Sequence, residues 1–90
     1  FLTKKIVTEK TVNNSFIKAS NKNLKNIMGV EAMPLVSSDF NHDTRSSIID
    51  LSLTKVLGSR YGTVFSWYDN EWGFANRMNE LAIFMKKTLK

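Results

Sequence analysis

Apolar and polar positions change their period several times along the chain, and each change marks an element. Residues 1–7 alternate imperfectly between apolar and polar, which predicts a strand. Thr8 then stands where a helix takes its N-cap, and Val12, Phe16 and Ala19 recur at i, i+4 and i+7 as one apolar face. Asn21-Lys22-Asn23 ends that helix. Residues 24–30 form a short apolar run closed by Gly29, and Pro34 ahead of Leu35-Val36-Ser37-Ser38 favours a loop or a strand entry. Asn41-His42-Asp43-Thr44 carries turn chemistry. Two β-branched runs follow at 46–51 and 53–57. Residues 58–62 then link the second of these to residues 62–67 as an antiparallel hairpin. Phe74, Met78, Leu81, Met85 and Leu89 return to helical spacing, and either Asp69 or Asn70 stands at the cap position before them. The predicted order is β-α-β-β-β-β-α, an α+β layering in which helical stripes cover the apolar face of a sheet.

Composition narrows the class. Ninety residues suit one small domain with a modest core, and the absence of cysteine excludes a disulfide scaffold. No apolar stretch is long enough to span a bilayer, so the expectation is a soluble chain with no membrane partner. It opens on Phe1 without the basic-then-apolar order of a signal peptide, which fits a segment of a longer protein. The net charge of +5 raises the question of a nucleic-acid partner, since Lys4, Lys5, Lys10, Lys18, Lys22 and Lys25 face only Glu9 in the first quarter. Those lysines are spread over a strand, a helix and a turn without a stacking platform or a recognition helix, which reads as a solvated basic face. Lys86, Lys87 and Lys90 meet the negative end of the last helix.

The densest chemistry lies at Ser66-Trp67-Tyr68-Asp69-Asn70-Glu71-Trp72-Gly73-Phe74-Ala75-Asn76-Arg77, where polar side chains crowd a strand-to-helix junction. On the residues alone two readings stand: a ligand site between an indole and a helix N-terminus, or a plain cap with both tryptophans filling core. The string resembles the C-terminal W-Y-D-N-E-[WF]-G-Y-[SA]-N-R segment of phosphorylating glyceraldehyde-3-phosphate dehydrogenases. Pro34 to Ile48 contains Val36-Ser37-Ser38-Asp39-Phe40-Asn41-His42-Asp43, similar to that family's V-S-S-D-F-N-x-D, and Leu24-Lys25-Asn26-Ile27-Met28-Gly29 is similar to its L-K-G-I-L-G. The blocks occur in the family's order over nearly the whole chain.

The resemblance implies the C-terminal portion of a catalytic domain, with a mixed, mainly antiparallel sheet and helices packed on one face. The Rossmann domain and the catalytic cysteine and histidine segment are then expected upstream. It implies a cytoplasmic, homotetrameric enzyme that oxidises glyceraldehyde 3-phosphate with inorganic phosphate and NAD, NADP not being excluded. Within this chain it assigns no catalytic residue. It assigns Asn70 to the nicotinamide carboxamide and Phe74 to the pocket wall, where many members carry tyrosine. An amide matches a carboxamide because each has a donor and an acceptor. The erythrose-4-phosphate dehydrogenases are a close alternative, disfavoured by Tyr68, where they can carry cysteine. A rival of another class is a small basic binding module without catalysis. His42 reads as a turn or interface residue, Arg45 and Arg77 as structural, and the methionines as core filler. One histidine and scattered carboxylates predict no metal site. The 90 residues alone are expected to be inactive.

Overall fold

The computed structural model describes residues 1–89 and shows a small α+β unit with mixed sheets and two helices. Helix α1 spans Glu9–Asn21, strand β1 Met28–Glu31, β2 Ser47–Asp50, β3 Lys55–Leu57, β4 Tyr61–Thr63 and β5 Ser66–Trp67, and helix α2 spans Trp72–Thr88. Thr8 caps α1 as the sequence predicts: its hydroxyl accepts the Thr11 amide at 3.1 Å, and Thr11 Oγ1 accepts the Thr8 amide at 2.9 Å. Lys86 and Lys87 lie in the last turn of α2, and Lys90 lies outside the described residues.

Strand β2 is the centre of the larger sheet, whose order is β1-β2-β5. It runs parallel to β1, with Gly29 opposite Ile48, and antiparallel to β5, with Ile48 opposite Trp67. Ile48 is fully buried and Ile49 nearly so, and Met28 and Phe40 complete the small apolar core. The Phe40 ring stacks on Trp67 at 5.6 Å. The β3–β4 hairpin forms a separate two-stranded sheet.

Three expectations change in detail. The leading strand at 1–7 shrinks to one antiparallel bridge between Leu2 and Tyr61. Two consecutive lysines interrupt the alternation, and Thr3 Oγ1 turns to the Lys5 carbonyl at 2.7 Å, a local bond that competes with the ladder. Residues 37–40, open in the sequence between a loop and a strand entry, form a 3-10 turn in which Asp39 reaches back to accept the Val36 amide at 2.8 Å. The run at 62–67 divides between the two sheets, with the Phe65 carbonyl accepting the Asp50 amide at 2.9 Å after the crossing.

Helix α1 packs on β1, whereas α2 leaves the sheet and presents its apolar stripe to solvent. Phe74 is 68% exposed and Met78 52%. The predicted period is present, but among the described residues this face stays more than half exposed.

A polar network ties the core together. The buried Asp50 carboxylate accepts the Trp67 indole N–H at 3.0 Å, the Ser52 amide at 3.1 Å and the Ser52 hydroxyl. Asn13 on α1 donates to the Leu51 carbonyl at 3.2 Å and accepts from the buried Thr54 hydroxyl at 2.6 Å. The hydrogen bonds from Ser52 first, and then from Trp67, hold Asp50 below the usual carboxylate pKa range. A carboxyl with a lowered folded-state pKa contributes stability that is fully present above its unfolded pKa and is lost as pH falls through the folded one. Asp50→Asn is therefore expected to flatten the acid side of the stability profile. Thermal unfolding between about pH 6 and pH 3 checks this, and unchanged slopes for the two proteins would remove Asp50 from the acid transition.

Candidate functional site

Strand β5 delivers Tyr68, Asp69 and Asn70 to the start of α2, and Asp69 fixes the junction. Its Oδ1 accepts the main-chain N–H groups of Glu71 at 3.1 Å and Trp72 at 2.9 Å. Asp69 thus closes the open amides of the helix, as one of the two expected cap residues, although the residue directly preceding α2 is Glu71. Its Oδ2 accepts the His42 amide at 2.9 Å, from a segment far away in sequence. Bonds from His42 foremost, then Trp72 and Glu71, keep the Asp69 pKa below its ordinary value.

His42 adopts φ 62°, in the left-handed region that costs a side-chain-bearing residue energy. Its ring lies against Trp72, with centroids 5.0 Å apart. The Asp69 carboxylate and the Trp72 ring together hold the turn at His42 on the beginning of α2. His42 is thus a turn residue, as the sequence reading has it. Trp72 is 44% exposed and does not fill the core, whereas Trp67 is partly buried and stacked.

The first turn of α2 rests on the main chain of Arg45 and Ser46. A Cβ at Gly73 would stand 2.7 Å from the Arg45 carbonyl oxygen, so only glycine permits this approach. Arg45 crosses over Gly29 and forms a two-pronged pair with Asp43, at 2.9 and 2.7 Å. Arg77 pairs with Glu80 through two bonds of 2.8 Å and reaches Ser46 Oγ at 3.2 Å. Both arginines thus pair with acids, a structural use that agrees with the sequence reading.

These contacts frame a cleft of about 330 Å³ lined by Ser46, Tyr68, Asp69, Asn70, Gly73, Phe74 and Arg77. A second hollow of about 410 Å³ is bordered by Asn41, Tyr68, Asp69 and Asn70. The two residues singled out from sequence, Asn70 and Phe74, therefore share one cleft, and Asn70 borders both. Asn70 and Phe74 are exposed. The hydrogen bonds of this corner run through Asp69, and the Asn70 amide takes part in none of them. Sequence reasoning did not place Arg77 or Ser46 in the cleft, since their meeting depends on the seating of Gly73. Among the described residues, no helix is long and apolar enough to cross a membrane.

A mixed-sheet α+β unit with a cleft at the strand-to-helix junction is the class that the fold and the site define. The family model "Glyceraldehyde 3-phosphate dehydrogenase, C-terminal domain" matches residues 1–70, from the first residue to Asn70. A glyceraldehyde-3-phosphate dehydrogenase of Xanthobacter flavus is 44% identical over 87 residues, covering 97% of this chain and 26% of the relative. One of Cereibacter sphaeroides is 45% identical over 82 residues, covering 91% of this chain and 25% of the relative. The chain belongs to the glyceraldehyde 3-phosphate dehydrogenase C-terminal domain family. It spans about a quarter of the length of the curated relatives it matches.

The seating of α2 generates a test. Gly73→Ala forces the helix away from the Arg45 carbonyl and is expected to destabilise the protein by about 1–3 kcal/mol, the usual range for overpacking. Thermal unfolding measures it, and an unchanged midpoint would mean that the first turn of α2 is not held there.

Proposed function

We propose that this chain is the C-terminal portion of the catalytic domain of a phosphorying enzyme of the glyceraldehyde-3-phosphate dehydrogenase type, cytoplasmic and homotetrameric, in which Asn70 and Phe74 form part of the nicotinamide site. The observation that carries the reading is the cleft itself, where an exposed amide outside the local hydrogen-bond network stands beside an exposed aromatic ring. The donor set fits a nicotinamide: a carboxamide offers one acceptor and one donor group, and Asn70 returns the complementary pair. Neighbouring Asp69, acceptor-only when ionised, is occupied by three main-chain amides. Phe74 supplies a flat apolar wall without a hydroxyl, and Gly73 keeps the wall beside it open.

On this reading NAD supplies the hydride acceptor when bound, and this chain's residues act by binding and orienting. Asn70 fixes the plane of the carboxamide and so the face that the ring presents. Phe74 and Tyr68 restrict water at the edge of the cleft. The nucleophilic cysteine, the histidine base, the Rossmann domain and the residues that separate NAD from NADP belong to the remainder of the enzyme. The 90 residues alone therefore carry out no turnover.

Two measurements on the whole enzyme test the proposal. Asn70→Ala is expected to weaken dinucleotide binding by about 1–3 kcal/mol, the cost of leaving a desolvated amide unpaired. Fluorescence titration with NADH reads this directly, and an unchanged affinity would remove Asn70 from the site. With aldehyde substrates, kcat/KM is expected to be higher for glyceraldehyde 3-phosphate than for erythrose 4-phosphate. The reverse order would assign the enzyme to the sister activity.

A further inference from the structure

Asn70 has no bond in its own corner to hold it, yet a residue that orients a ring must itself be held. The restraint available to it is the carboxylate one residue earlier. Asp69 joins two segments that are distant in sequence: one oxygen receives the Glu71 and Trp72 amides that begin α2, and the other receives the His42 amide. The clamp is closed on the far side by the His42 and Trp72 rings, 5.0 Å apart. Asn70 lies between Asp69 and Glu71 in sequence, and the Glu71 amide is bound to the same Asp69 carboxylate that holds the His42 turn.

The clamp also sets the relation between the two hollows. Asn41, next to His42, borders the second one, whereas Gly73, next to Trp72, borders the first, and Asp69 and Asn70 border both. Moving the turn at His42 relative to α2 changes both hollows together. His42 resists this only while its left-handed backbone is held, because φ 62° is costly for a residue with a side chain. The bond from its amide to Asp69 supplies that hold.

We propose that Asp69 is a positioning residue, whose carboxylate fixes the Asn70 amide for a ring-carboxamide ligand by clamping the His42 turn onto the first turn of α2. This rests on the assignment of Asn70 to the nicotinamide. Asp69 touches no ligand in this scheme and acts only through Asn70. Its charge matters because a carboxylate accepts on both oxygens, whereas an amide in its place accepts on one and turns a second donor toward a main-chain N–H.

A double-mutant cycle in the whole enzyme tests the proposal, with NADH affinity as the readout. Asp69→Asn keeps an acceptor for the helix amides and breaks the bond to His42. It is expected to raise the NADH dissociation constant about five- to tenfold, as loss of one well-made hydrogen bond does. Asn70→Ala is expected to raise it by at least as much, and the double variant to match Asn70→Ala alone, because Asp69 has nothing left to position. Additive effects, or an unchanged affinity in Asp69→Asn, would overturn the positioning role while leaving Asn70 in the site. An inert Asn70→Ala would overturn both. Where Asp69→Asn does not fold, Asp69→Glu takes its place in the cycle, retaining the charge and displacing the carboxylate by one methylene. His42→Gly, which adopts the left-handed backbone without help, is expected to recover part of the affinity lost in Asp69→Asn. A merely structural loss at the helix cap would show no such recovery.

Discussion

The hydrogen bond from the Trp67 indole to the Asp50 carboxylate is the interaction on which the rest of the molecule depends. Strand β5 has only two residues and could not keep its register by main-chain pairing alone. The indole anchors it to the end of β2, and the stacked Phe40 ring closes over it. Burying a carboxylate is costly unless donors replace its water, and the Ser52 amide and hydroxyl supply the remaining ones. Because Tyr68, Asp69 and Asn70 leave β5 immediately after Trp67, the position of the cleft is decided in the core.

What the sequence revealed, and what it hid, divides along the range of the interactions. The Thr8 cap and the β3–β4 hairpin are made by residues close along the chain, and pattern alone finds them. Local chemistry also explains the lost leading strand and the turn at 37–40, since Thr3 and Asp39 bond main-chain groups close by. Asn13 and Thr54 are different, being separated by much of the chain, and neither residue announces the other. The same holds for His42 and Asp69. Asn70 was visible as a cap candidate from its position, but its assignment to a cofactor came through family resemblance and not from physics. The stripe on α2 is legible as a period, but among the described residues that face is exposed, because periodicity records that a surface is apolar without recording what lies against it.

The positive charge has a plain distribution. Arg45 and Arg77, the arginines nearest the site, direct their planar forks at Asp43 and Glu80. The six lysines of the first quarter are all exposed, and none of them borders the cleft at Asn70. Mobile ammonium groups of this kind keep a small domain hydrated, whereas directed recognition of phosphate draws on geometrically fixed donors. The charge and the cleft are therefore separate properties of the chain, one belonging to its hydration and the other to its chemistry.

The left-handed backbone at His42 has a consequence for the sequences this fold can accept. Position 42 is constrained by a torsion angle and by an amide proton, neither of which is a property of imidazole. Asparagine, aspartate and glycine enter that region of conformational space most readily, whereas valine, isoleucine and threonine enter it worst, and proline has neither the torsion nor the proton. Tolerance at this site thus follows the backbone and not the acidity of the side chain. A histidine near a cleft invites an acid–base role, but here the main chain of the turn also accepts residues that have no ring.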